Sequence, residues 1–286
     1  NPTKLKNSYC ILRFNFSGIY TENEEATLKG FKNKTIASIK VFINQYGMNF
    51  YVNEEREAEE ILNDLLKAFY TQKNNEKIYV IIDEYDHFAN ELLGFYPENF
   101  KNLVSKNGKV RKWYEVLKEG TETVVDRIFI TGVAPITLDS LTSGFNIGTD
   151  ITQDIRFNEM MGFTKNELIE ILNNQDIPEE EQEKILPIMK ENYDGYKFSL
   201  NAESHIYNSN MCLYFLSEYI WSRKIPNDLI DMNIASDYNK IGKMLGLCKG
   251  ENRLDILQKT VQGETIANNI VKKFNPAIEF TETHMV

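Results

Sequence analysis

The stretch Ile78-Tyr79-Val80-Ile81-Ile82-Asp83-Glu84-Tyr85-Asp86-His87-Phe88 reads as a short apolar strand that runs straight into two adjacent carboxylates. From Lys77 to Ile82 the side chains are almost uniformly apolar, the mark of a strand covered on both faces. Working outward, Arg127-Ile-Phe-Ile-Thr131 is a second such run, reached through a helical stretch around Trp113 to Lys118. Tyr9-Cys-Ile-Leu-Arg-Phe-Asn-Phe16 is a third, and it breaks at Ser17-Gly18. Apolar strands separated by helices predict an α/β fold: a mainly parallel sheet with helices on both faces.

Between the Tyr9–Phe16 and Lys77–Ile82 strands, Ala58, Ile61, Leu62, Leu65, Leu66 and Phe69 recur at the spacing of one buried helix face. Glu54, Glu55, Glu57, Glu59 and Glu60 crowd the first turns of that helix, where the dipole favours negative charge, and read as a solvated helix start. Beyond about residue 150 helices dominate. Thr164-Lys-Asn-Glu167 fits a capping box with Phe163 and Leu168 as its staple, opening a helix that carries Leu168, Ile171 and Leu172. Further helices are expected over Pro178 to Met189 and Met211 to Tyr219, with a small hairpin from Gly195-Tyr-Lys-Phe-Ser199 to His205-Ile-Tyr207 between them. The expected organisation is an α/β core over residues 1–155 and a smaller, mostly helical, winged-helix-like domain over 156–286.

With 286 residues, 42% hydrophobic and 12% aromatic, the chain can bury a large core. A net charge of -10 argues against a surface built throughout to grip nucleic acid, because phosphate neutralisation needs a basic face. Cys10, Cys212 and Cys248 are odd in number and far apart, which suits reduced core thiols rather than a disulfide framework. No apolar run approaches the ~20 residues of a membrane helix, and the first residues lack the pattern of a signal peptide. A soluble, cytoplasmic protein with no membrane partner is expected.

An apolar strand ending in Asp-Glu has the pattern of a Walker B strand in P-loop NTPases. Ligands of open parallel sheets bind beyond the carboxyl ends of the strands, and a strand holds its last side chains rigidly there. Asp83 is then the candidate Mg²⁺ and nucleotide ligand, and Glu84 the catalytic base that orients and deprotonates water. Asp86 and His87 are candidates for the surrounding shell. Thr131, at the end of the later strand and followed by Gly132, is a second catalytic candidate, able to place a hydroxyl beside phosphate and water. Competing readings are an ordinary acidic loop after a strand and a threonine that satisfies a strand-end backbone group. A phosphate loop of the form Gly-x-x-x-x-Gly-Lys-Ser/Thr does not occur in the 286 residues: no two glycines lie five apart, and Gly108-Lys109 and Gly242-Lys243 are followed by Val110 and Met244.

IYVIIDEYDHF, RIFITGVAPITLDSLTSGFNI (Arg127 to Ile147), RFNEMMGFT (Arg156 to Thr164), YDGYKF (Tyr193 to Phe198) and IYNSNMCLYFL (Ile206 to Leu216) together resemble the prokaryotic AAA-ATPase-like family. The resemblance runs in one order from about Leu5 to the end. It implies a P-loop NTPase-type sheet, ATP and Mg²⁺ as ligands, and an ATPase region that commonly precedes a PD-(D/E)XK nuclease-like domain. In family members a loop of the kind RRFGKS precedes the strand matching Tyr9 to Phe16, so the chain reads as a fragment, inactive alone, with its Walker A loop upstream of Asn1 and its nuclease domain beyond Val286. Carried over by position, Asp83 and Glu84 match the Walker B pair and Thr131 the polar strand end. Arg156 occupies a motif position and is a candidate phosphate contact, against the alternative of a buried structural arginine. DNA is then an expected partner through the nuclease-like domain. The competing class is a non-catalytic protein-interaction module on the same fold.

Asp83, Glu84, Asp86 and His87 as a hydrolytic metal site would require neighbours on a strand to converge from opposite faces. His205 and His284 have no partners at metal-ligand spacing. Lys101, Lys106, Lys109, Arg111 and Lys112 read as a solvated helix face, and Tyr193, Tyr196, Phe198, Tyr207, Tyr214 and Phe215 as the core of the second domain or a partner surface.

Overall fold

Among the described residues Lys77–Asp83 is the central strand of a three-stranded parallel sheet. The computed structural model describes residues 3–73, 75–88, 108–132 and 147–231, with 258, 259 and 262. In chain order the first compact unit contains β1 (Tyr9–Asn15), α1 (Glu24–Gln45), α2 (Ala58–Gln72), β2 (Lys77–Asp83), α3 (Lys109–Gly120) and β3 (Val125–Ile130). The sheet order is β1-β2-β3, both pairs parallel. Parallel pairing needs long crossovers, and α1 with α2, then α3, lie in the segments that make them.

Strand alternation decides which side chains enter the core. Cys10, Leu12, Phe14 and Phe16 from the β1 segment and Ile78, Val80 and Ile82 from β2 are buried on one face, packed with α1, α2 and α3. The six apolar residues of the expected α2 face are its six buried residues. Phe16 stacks on Phe31 at 4.6 Å, and Trp113 of α3 meets Phe14 edge-on at 4.9 Å, placing aromatic bulk directly beneath the carboxyl edge of the sheet.

On the opposite face, Ile11 and Arg13 are exposed and Tyr79, Ile81 and Phe129 half-buried. The helices described in this unit pack against one face, so the expected cover on both is met on one side among the described residues. Among the described residues β1 is an edge of the sheet, and its Ile11 N–H is satisfied by the Tyr46 hydroxyl at 2.8 Å.

The acidic run at the start of α2 is largely solvated, as expected, with Glu59 and Glu60 in the first turn and the rest ahead of it. Glu54 and Glu55 precede the helix and Glu57 is its N-cap, closing a capping box with Glu60. Glu54 pairs with Lys40, Glu57 with Lys109 and Glu60 with Arg56, so most of these carboxylates hold cations from other segments or the same turn.

The second compact unit spans Thr149–Asp237. Its elements are a single 3-10 turn (Ile155–Phe157), α4 (Lys165–Asn174), α5 (Glu179–Tyr193) and α6 (Ser209–Ser222). Both halves of the Thr164/Glu167 capping box form, and Phe163 packs against the cluster that holds Leu168. The hairpin is reduced to isolated antiparallel bridges, Tyr196 with Ile206 and Phe163 with Tyr207. Of the aromatic set, Tyr193, Tyr207 and Phe215 are core, whereas Tyr196 and Phe198 are exposed, so the core reading fails for these two. Cys10 and Cys212 are free and buried. Cys248, His284, Lys101, Lys106, Gly242-Lys243, the stretch 133–146 and most of 232–286 lie outside the described residues. Among the described residues no helix is long and apolar enough to cross a membrane.

Candidate functional site

Register brings three polar side chains into one row at the carboxyl edge. Asn15 is the Cα partner of Asp83 across the β1–β2 ladder, and Ile130 faces Ile82 across β2–β3, which sets Thr131 beside Asp83. Backbone bonds carry the ladder past the last strand residues. Thr131 N–H donates to Ile82 O at 2.8 Å, Tyr85 N–H to Thr131 O at 3.2 Å, and Phe16 N–H to Asp83 O at 3.1 Å.

The Asp83 carboxylate is held from both neighbouring strands. Thr131 Oγ1 donates to Oδ1 at 2.7 Å, while Arg13 Nη2 donates to Oδ2 at 3.2 Å and Asn15 Nδ2 stands 3.5 Å from the same oxygen. Thr131 Oγ1 is also 3.5 Å from Ile82 O, so the carboxylate is its nearer partner. These donors favour the ionised form: the Thr131 hydroxyl first, then the Arg13 guanidinium, hold Asp83 below the usual aspartate range despite its partial burial. An ionised oxygen donor on a rigid strand end suits a hard cation such as Mg²⁺, which takes oxygen ligands and draws few of them from protein.

Glu84 leaves the strand. Its φ of 54° lies in the left-handed region, where a side chain crowds its own backbone, and its carbonyl accepts from His87 N–H at 3.2 Å to close a tight turn. That turn ends the strict strand alternation, so Glu84 is half-buried at the same edge as Asp83. Asp86 is fully buried and His87 half-buried with a buried Nδ1, so neither faces open solvent beside Asp83. Among the described residues no group of three or more His, Cys, Asp or Glu side chains stands where it could hold a metal ion, and the four-residue metal site is therefore not formed.

The segment 1–142 matches a family described as a predicted AAA-ATPase. Over these residues the chain belongs to the AAA-ATPase-like family. Nucleotide binding is the general property that this AAA-ATPase-like membership carries. No curated protein and no solved structure matches the chain. Asp83, Glu84 and Thr131 fall inside the matched segment and Arg156 outside it.

Arg156 belongs to the second unit. It is exposed, which corrects the alternative of a buried arginine. It is tied to Asp154 through Nε at 3.0 Å and stacks 5.7 Å from the Phe157 ring centroid. Asp154 is drawn down to about 2 by this guanidinium. Sequence reasoning missed Arg13 and Asn15. Their odd-numbered positions among even-numbered core residues mark them as facing away from the core, but the β1–β2 register is needed to bring them to Asp83.

Proposed function

We propose that this protein binds and hydrolyses Mg-ATP and uses the cycle to drive a conformational change, with Asp83, Glu84 and Thr131 at the reacting end. The observation that carries the reading is the Asn15–Asp83–Thr131 row at the carboxyl edge of a parallel sheet, within the segment that matches the AAA-ATPase-like family. Asp83 would hold Mg²⁺, which when bound neutralises phosphate charge. Thr131 fixes the Asp83 carboxylate through Oδ1 and keeps it ionised, while Oδ2 meets the exposed Arg13 guanidinium. Glu84, projected by its left-handed turn, would accept a proton from the attacking water. Phosphate itself needs a cradle of backbone N–H groups, of the kind a Gly-Lys-Ser loop supplies. Arg156 is assigned a phosphate contact, residues 156–286 a helical, winged-helix-like lid, and a nuclease-like domain acting on DNA the output of the cycle.

Calorimetric titration of Mg-ATP separates this from the competing reading, a protein-interaction module. That alternative is favoured by exposed apolar side chains on the second unit, Trp221 at 92% and Leu200 at 87%. In protein that carries a phosphate loop, Glu84→Gln should keep Mg-ATP binding and lose turnover. Such protein binding no nucleotide would leave the interaction module as the function.

A further inference from the structure

We propose that Arg13 is a positioning residue that acts as a built-in counter-cation for Asp83, occupying Oδ2 until a divalent cation displaces it; this rests on the reading of Asp83 as the Mg²⁺ ligand. The two carboxylate oxygens are treated differently by the two flanking strands. Oδ1 takes a short bond from a neutral, partly buried hydroxyl on the β3 side, and Oδ2 takes a longer one from a cation on the β1 side. Arg13 faces Ile81 in the register, so its guanidinium reaches diagonally, two residues along β2, to arrive at Asp83. A short polar side chain at position 13 would not span that diagonal.

Exposure makes the contact exchangeable. The Arg13 side chain is 64% exposed and that of Asp83 34%. An ion pair this open to water shifts an equilibrium by at most about fivefold, because solvation competes with the attraction at every step. The Thr131 bond, from a neutral and less exposed donor, can stay in place while the Arg13 bond breaks. The consequence is a carboxylate whose geometry is fixed by one strand and whose charge is balanced by the other. Entry of a divalent cation at Oδ2 is opposed by the guanidinium already there, and it releases a free cationic side chain at the same edge of the sheet.

Mn²⁺ serves as the probe, with the 286-residue chain and its variants. Paramagnetic broadening of the Phe16, Tyr85 and Thr131 amide signals reports binding near Asp83 even at millimolar affinity. Arg13→Gln should lower the Mn²⁺ midpoint by about two- to fivefold. Arg13→Lys, which keeps a cation, should lower it less. Arg127→Gln removes the same charge from the same sheet face without touching Asp83, and should leave the midpoint unchanged. Asp83→Asn should abolish the broadening. An Arg13→Gln midpoint equal to or above the wild-type value, with Asp83→Asn still abolishing the effect, overturns the role of Arg13 and leaves Asp83 as the ligand. A shift in Arg127→Gln as large as that in Arg13→Gln reduces the effect to net charge and also overturns it. Broadening that is absent throughout, or that survives Asp83→Asn, removes Asp83 as the ligand, and the counter-cation role falls with it.

Discussion

Gly132 and Asp86 approach so closely that a Cβ on Gly132 would stand 2.3 Å from Asp86 Oδ1, and 2.4 Å from the Tyr85 ring. Asp86 and Tyr85 are both buried and cannot swing aside into water. The turn after β2 is thus seated on the residue that follows Thr131. Gly132→Ala should destabilise the first unit by about 1–3 kcal/mol through overpacking. Chemical denaturation measures this, and a variant of wild-type stability would show that the two segments do not meet as described.

The left-handed turn at Glu84 makes a second prediction with an unusual sign. In ordinary strand or helix positions alanine is the more stabilising residue and glycine the less. At φ 54° the order reverses, because a Cβ is what makes this conformation costly. Glu84→Gly should be more stable than Glu84→Ala by about 1 kcal/mol, with Glu84→Asn between them. Urea midpoints of the three variants decide it, and alanine coming out ahead would place Glu84 in an ordinary conformation.

Much of this site was legible because it follows from period and position. An apolar run ending in Asp-Glu marks where β2 stops, and the α2 face could be named residue by residue because a 3.6-residue period admits one solution. Partners on other strands could not be read the same way. Arg13 meets Asp83 across 70 positions of sequence through a register that no local pattern encodes. The Glu84 turn was hidden for a different reason: glutamate carries no left-handed preference, so the conformation is imposed by the ladder bond from Tyr85 to Thr131 and by the Gly132 seat. Exposure of Tyr196 and Phe198 was missed because aromatic residues read as core by default, whereas two isolated bridges do not bury both sides of a chain segment.

Glu59 should set a pH dependence opposite to that of most carboxylates. Burial raises its folded pKa above the usual glutamate value, nearby Glu57 and Glu60 add to the shift, and a hydrogen bond from its own backbone N–H and the charge of Lys109, already paired with Glu57, only partly offset it. One of its oxygens, Oε2, is buried with no hydrogen-bond partner among the described residues. The stability it contributes is therefore fully present below pH 4.5 and lost as pH rises through the raised value. Glu59→Gln should raise the denaturation midpoint at pH 7 and give a shrinking advantage as pH falls toward 4. An advantage that is constant with pH would show that the ionised carboxylate is not what costs stability.

Burial should silence the thiols. Cys10 donates its Sγ hydrogen to Glu76 Oε2 at 3.0 Å, and burial followed by that carboxylate pushes its pKa up to about 12. Cys212 is pushed up to about 12 by burial, then by the charge of Asp194. Thiolate is the attacking species, so both should be inert to iodoacetamide at pH 8 in native protein and react fully in denaturant, as read by peptide mass spectrometry. Because Cys10 lies in β1 and Cys212 in α6, their labelling rates in dilute urea report the opening of each unit separately. Rapid native labelling of Cys10 would mean that β1, and with it Arg13 and Asn15, leaves the sheet under native conditions, and the Asp83 site would then lack one of the two strands that hold its carboxylate.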